Sequence, residues 1–370
     1  GHTEMVKYLL KNPKVDPSAR DNNAISWASI NGHADVVQLL LADSRVDPSD
    51  CDNDSIRRAS YYGHSKVVKL LLEDSRVDPS ARGNDAIRSA SSNGHSDVVQ
   101  ILLADSRVDP SDCDNDAIRR ASYYGHSEVV KLLLEDSRVD PSARDNYAIR
   151  SASENGHADV VQILLADSRV DPSDFNNLAI QRASTYGHAD VVQILLADSR
   201  VDPSANYNLG FVWASGNGHA DVVQLLLADS RVDPSNCDND AIRRALYYGH
   251  SEVVKLLLED YRVDPSANGN AAIHKALYYG HSEVVKLLLA DPRVDPSDCD
   301  NHAIRQASVK GHADVVQILL EDFRVDPSAN DNIAIRLASE KGHAEVVKIL
   351  LADSRVNETL GPWRLLLFNE

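Results

Sequence analysis

The dipeptide Gly-His stands at residues 1, 32, 63, 94, 125, 156, 187, 218, 249, 280, 311 and 342, every step being 31 residues. Self-similarity this strict excludes a set of independent globules. It demands small units that bury their apolar faces against one another in a stack. Asp-Pro-Ser keeps the same step, from Asp16-Pro17-Ser18 to Asp326-Pro327-Ser328. Asp-Cys-Asp-Asn at 50–53, 112–115 and 298–301 adds a 62-residue period, read as duplication of repeat pairs.

The copy Gly125–Asn155 serves as reference. Glu128-Val129-Val130-Lys131-Leu132-Leu133-Leu134 carries a broad apolar stripe at helical spacing. Gly125 is placed to end the preceding helix in a left-handed conformation, and Glu128 suits a helix N-terminus. Pro141 removes a donor and stops the pattern. A second, shorter helix follows over Asn146–Ser153, with Asn146 as N-cap or left-handed turn residue; an Asn recurs there from Asn22 to Asn332. Each unit is helix, turn, helix, extended loop, with longer and shorter helices alternating. Neighbours stack at roughly 8–10 Å.

This pattern resembles ankyrin repeats. The resemblance rests on Gly125-His126, on Val129 to Leu134 and on Ile149-Arg150-Ser151-Ala152-Ser153, in order and phase, and covers essentially the whole chain. It implies a mostly α fold, a solenoid of about 12 helix-turn-helix repeats. Two departures stand out. The period is 31 rather than the usual 33, and x-Ala-Ile-Arg replaces the family's Thr-Pro-Leu-His. Asp-Pro-Ser weakens a regular β-hairpin in the loop. This variant is similar to arrays of amoebae and of the large DNA viruses that infect them.

Comparing copies with each other separates two faces of the second helix. At about 100° per residue, Ala148, Ile149, Ala152 and Ser153 share the side that barely changes, which is the expected core. Tyr147, Arg150, Ser151, Glu154 and Asn155 share the variable side. That side collects Trp27, Arg58, Tyr61, Tyr62, Arg120, Tyr123, Tyr124, Tyr147, Arg182, Tyr186, Trp213, Arg244, Tyr247, Tyr248, Tyr278 and Tyr279. Trp, Tyr and Arg dominate interaction hot spots. In the family resembled, the corresponding helix face and loop tips line a concave groove. These sixteen residues are therefore the expected contacts of a protein partner. The opposing reading has the tyrosines packing between repeats and the arginines merely solvated.

The net charge is −18. Most of the acid falls at fixed phases and reads as a solvated outer face that keeps a long array soluble. Arg57-Arg58, Arg119-Arg120 and Arg243-Arg244 lie on the variable face instead and would make it locally basic. Overall acidity speaks against nucleic-acid binding.

No constellation for catalysis converges, because Asp, His and Ser are copied in register along a line. Cys51, Cys113, Cys237 and Cys299 stand two or more repeats apart, beyond the roughly 7 Å a disulfide allows. Free thiols fit a reducing, intracellular and cytoplasmic setting. Successive Gly-His histidines are too far apart to share a metal and are expected to hydrogen-bond at helix starts. Neither cofactor, metal, membrane nor small-molecule substrate is called for, and a monomer suffices. Ser60 and Ser122 follow Arg-Arg-Ala in a kinase-like context but fall on the core side. Asn53-Asp54-Ser55 and Asn357-Glu358-Thr359 are glycosylation sequons without any sign of secretion.

One solenoid is expected over 1–356, with 357–370 folding over the last repeat as an apolar cap. The mid-repeat start reads as a fragment. In the repeat 187–217, Gly210 and Phe211 look like drift and Trp213 like groove exposure. The leading expectation is a non-catalytic protein-binding scaffold. The alternatives are an architectural or expanded-copy protein without a specific ligand, and the binding half of a larger protein whose effector domain lies elsewhere.

Overall fold

The computed structural model describes residues 2–360; side chains 268 and 269 are not described. Twenty-four helices follow one another from Thr3–Leu10 to Ser354–Thr359, and no strand occurs among the described residues. They fall into two compact units. One comprises Gly1–Ala183 with Gln193–Val201, the other Ser184–Val192 with Asp202–Glu370. Within each, leading helices such as Ser127–Leu134 pack on leading helices, and trailing helices such as Ala143–Glu154 on trailing helices.

The leading helix buries Val129, Val130 and Leu133, one side of an eight-residue rod. It stops before Pro141 is reached. The Asp136 carboxylate accepts the Arg138 backbone N–H at 3.0 Å, an Asx turn that draws the chain out of the helix. The expected difference in length is absent: leading helices have eight or nine residues, and the trailing segments of twelve or thirteen begin with a left-handed turn, so that their right-handed part, Tyr147–Glu154 in the reference copy, is about as long.

The trailing helix opens with a left-handed turn. Arg144, Asp145 and Asn146 have φ of 53°, 57° and 56°, and the same triplet recurs along the chain. Each left-handed residue costs roughly 1–2 kcal/mol, so the turn needs support. The Asn146 N–H donates to the Ser142 carbonyl at 2.8 Å. The Arg150 guanidinium donates to the Asp145 and Arg144 carbonyls, both at 2.9 Å. Asn146 is thus the turn residue of the two alternatives and not an N-cap; Ser142 takes the cap position without a side-chain bond. Ala148, Ile149, Ala152 and Ser153 are fully buried, the core face read from the repeats.

Three constant side chains tie each unit to the one before or after it. Asn146 accepts the Asp171 N–H at 2.8 Å and donates to the Asp174 carboxylate at 3.0 Å. Arg138 donates Nη1 to the Val108 carbonyl at 2.8 Å, while Nε and Nη2 grip Asp136 at 3.0 and 2.6 Å. The His157 Nε2–H donates to the Tyr123 carbonyl at 2.9 Å. The His157 ring also occupies the space in front of Gly125: a Cβ there would lie 2.5 Å from Nδ1. Gly125 has φ +80°, the left-handed cap expected of it. Its pairing with His follows from that space: glycine clears the place the next histidine fills. The histidines stand at the N-cap positions of their helices and hydrogen-bond from there, as expected, but the ring's partner is a carbonyl of an earlier repeat and not an N–H of their own helix.

At the far end Ser354–Thr359 forms a helix where Asp-Pro-Ser would stand, and Thr359 Oγ1 takes the Asn332 amide at 3.0 Å. From residue 361 on, the expected cap lies outside the described residues.

Candidate binding face

All sixteen expected contact residues keep solvent-accessible surface. Trp27, Arg58, Arg120, Trp213 and the tyrosines 61, 62, 123, 124, 186, 247, 248, 278 and 279 are exposed; Tyr147, Arg182 and Arg244 are half-buried. Tyrosines adjacent in sequence meet edge to face. Tyr61–Tyr62, Tyr123–Tyr124, Tyr247–Tyr248 and Tyr278–Tyr279 have ring centroids 4.7–4.9 Å apart. The second tyrosine of a pair lies against the histidine that opens the next repeat, as Tyr62 on His64 at 6.3 Å. Tyr247 also reaches the next repeat's Tyr279 at 4.6 Å. The tyrosines therefore pack on one another and stay exposed at once. Where asparagine replaces that second tyrosine at 31, 93 and 155, its amide closes the helix end, as Asn155 donates to the Ser151 carbonyl at 2.8 Å; Asn217 donates to the Thr185 carbonyl instead.

The arginine pairs divide their work. At 57–58 and 119–120 the first turns inward to hold the left-handed turn, whereas the Arg243 and Arg244 side chains are equally exposed, at 34% and 35%. Arg57 and Arg119 side chains are only 13% and 11% exposed, and Arg119 donates to the Asp114 and Cys113 carbonyls at 2.9 and 3.1 Å. The second points out, Arg58 and Arg120 being 52% and 48% exposed. Both kinds meet acid. Asp54 binds Arg57 and Arg58; Asp116 binds Arg88, Arg119 and Arg120; Asp85 binds Arg57 and Arg88. The arginines of the expected basic face are thus each paired with an aspartate in the first unit. Ser151, placed on the variable side by its phase, is buried with its hydroxyl on the Ala148 carbonyl at 3.1 Å.

The fixed acid is also not idle. The aspartates from Asp43 to Asp353 that follow the leading helices each grip the arginine two residues on. The guanidinium bond holds these carboxyls below the usual range, to about 2 at Asp43. Asp140 accepts Ser142 N–H and Oγ–H at 2.9 and 2.6 Å. Sequence reasoning missed both functions, although the invariant Asp-x-Arg-Val-Asp-Pro-Ser spacing was the signal. It also missed Tyr261 and Phe323, almost fully exposed where most other copies have serine.

In the irregular repeat Phe211 fills the core and Trp213 lies under the Arg244 guanidinium, 4.6 Å from the ring centroid. Ser60 and Ser122 are fully buried, as their phase requires, and their hydroxyls have no partner. Asn53, first residue of a sequon, is buried and accepts the Asp78 N–H at 2.7 Å. Cys51, Cys113, Cys237 and Cys299 are exposed free thiols. Burial and then Asp50 push the Cys51 thiol up, and Asp298 foremost pushes up Cys299, which opposes thiolate formation. Among the described residues no group of three His, Cys, Asp or Glu could hold a metal, and no helix is long and apolar enough to cross a membrane.

Family models for ankyrin repeats match residues 25–117, 56–145, 118–207 and 211–300, and a further one matches 1–41. The chain is an ankyrin repeat protein. Ankyrin repeats are in general protein-interaction modules and typically non-catalytic. No curated protein gives a significant match. The departures of this ankyrin array from the usual repeat have structural counterparts. Asn146 and Arg150 build the turn at the loop, where the family motif would place Thr-Pro-Leu-His.

Proposed function

We propose that this ankyrin repeat protein is a non-catalytic scaffold that binds a protein partner through the exposed face of its trailing helices. One observation carries the reading. Copies that keep their core residues almost unchanged vary on one face, and the variation there favours Tyr, Trp and Arg. Edge-supported tyrosines lose little further freedom on binding, which favours their use as rigid anchors. On this reading the chain acts as a monomer, and its exposed thiols fit a reducing cytoplasmic compartment. Loop tips such as Phe175 and Tyr207, both exposed, would extend the contact.

The test is affinity capture from host-cell lysate. The intact chain is compared with a variant carrying Tyr→Ala at 61, 62, 123, 124, 247, 248, 278 and 279, with circular dichroism reporting the fold. A protein held by the first and lost by the folded second is the expected result. Equal retention by both would remove the trailing-helix face from the mechanism. Capture by neither would favour an architectural array without a ligand.

A further inference from the structure

The frame Arg-Arg-Ala-x-Tyr-Tyr builds a similar hollow in both units, with different charge compensation. In the first unit Arg57, Arg58, Tyr61 and Tyr62 meet Asp85 and Ser89 of the next trailing helix around about 330 Å³. In the second unit Arg243, Arg244, Tyr247 and Tyr248 surround about 260 Å³ with Asp240 and Lys275. Ala271 stands at the phase of Asp85, and Lys275 at that of Ser89. The first hollow sets two carboxylates, Asp54 and Asp85, against its two arginines, Asp85 also taking Arg88. The second sets only Asp240 against Arg243, Arg244 and Lys275, leaving two positive charges uncompensated on a chain that is −18 overall.

Arg244 is positioned before any ligand arrives. Its Nε donates to Asp240 at 2.9 Å and its guanidinium covers Trp213. Gly216 leaves room for this: a Cβ there would come within 3.3 Å of the Arg244 stem. Both Nη groups, the edge that clasps a carboxylate with two parallel bonds, have no hydrogen-bond partner among the described residues. The Lys275 ammonium has no ion pair there either. One repeat further on, the Lys310 ammonium sits 3.8 Å from the Tyr278 ring centroid.

We infer that the second unit selects an acidic segment of the protein partner, a carboxylate entering between Arg244 and Lys275 with the tyrosines as walls. This rests on the binding reading above and adds the partner's chemistry to it. Charge complementarity names the occupant. A single-stranded nucleic acid is disfavoured, because Tyr247 is packed against Tyr248 and Tyr279 and offers a poor stacking platform.

The test uses the full chain and fluorescein-labelled peptides of alternating Glu and Tyr, the same peptides with Gln for Glu, and oligothymidylate, read by anisotropy. The Glu peptide should bind at least about tenfold more tightly than the Gln peptide, as expected for a charge-assisted clasp. The double variant A271D/K275S gives the second hollow the residues of the first, which the fold already accommodates, and should abolish the difference. The reciprocal D85A/S89K should strengthen Glu-peptide binding. Equal binding of both peptides, unaffected by A271D/K275S, overturns acid selection while leaving the binding face in place. No binding of the Glu peptide, or tighter binding of oligothymidylate, also overturns the inference. The tyrosine variant in lysate judges the underlying reading separately.

Discussion

Glycine and histidine, adjacent in the chain, meet across the repeat boundary. Gly125 must be glycine for two separable reasons: its φ of +80° and the His157 ring in front of it. Among the described residues Gly342 has the first reason alone, with φ +76° and nothing within 4 Å of a Cβ. Gly125→Ala should therefore destabilise more than Gly342→Ala. The latter should cost about 1 kcal/mol for the left-handed conformation, the former that and the displacement of His157. Urea unfolding of the two variants checks the difference, and equal losses would remove the steric role. The Gly-His signature was legible at once as a helix end. The reason for histidine was not, because its hydrogen-bond partner lies 34 residues earlier in the chain.

At the scale of the element, the left-handed turn is the feature that local propensity reads least well. Three successive left-handed residues are unfavourable by themselves, and Arg144 is not a residue type that seeks such a conformation. The turn forms because Arg150 takes two of its carbonyls and Asn146 bridges to the next repeat. Arg150→Ala should cost about 1 kcal/mol, the net worth of hydrogen bonds whose carbonyls stay within reach of water. Arg150→Gln should recover part of that. The chain itself supplies the precedent, since Gln181 donates to the Asn176 carbonyl at 2.6 Å at the same phase. Thermal melts of the two variants decide it, and indistinguishable melts would remove the guanidinium from the turn's support. The core face of this helix was readable from Ala148, Ile149, Ala152 and Ser153. The inward turn of Arg150 was not, since an arginine at a variable-face phase reads as solvated.

For the whole molecule, an acidic array must be stable despite its self-repulsion. The Asp136 column turns part of that charge into ties between repeats. Arg138 bonds Asp136 and, beyond it, the Val108 carbonyl. Its bond holds the Asp136 carboxyl below the ordinary aspartate range. A depressed folded-state pKa gives stability that is fully present above the unfolded value of about 3.9 and is lost as pH falls through the folded value. Asp136→Asn should thus lower Tm at neutral pH, and its gap to the wild type should narrow as pH falls below about 4. Melts by circular dichroism from neutral to strongly acidic pH report it. A gap independent of pH would mean that the carboxylate charge is irrelevant.

The repeated sequence determined by itself what is local: the period, two helices per unit, the glycine cap, the apolar columns and the face on which aromatic residues accumulate. Helical phase and proline and glycine backbone limits act within a few residues, so they can be read along the chain. The tertiary structure alone decided what the constant polar side chains hold. Their partners lie about a repeat away, from Asn146 to Asp171 and from Arg138 to Val108. It also decided that Arg58 and Arg120 face solvent while Arg57 and Arg119 turn inward, and that the second hollow has one carboxylate for its cations where the first has two. Hydrogen bonding and charge compensation depend on which side chains stacking brings within about 3 Å, a distance set by packing.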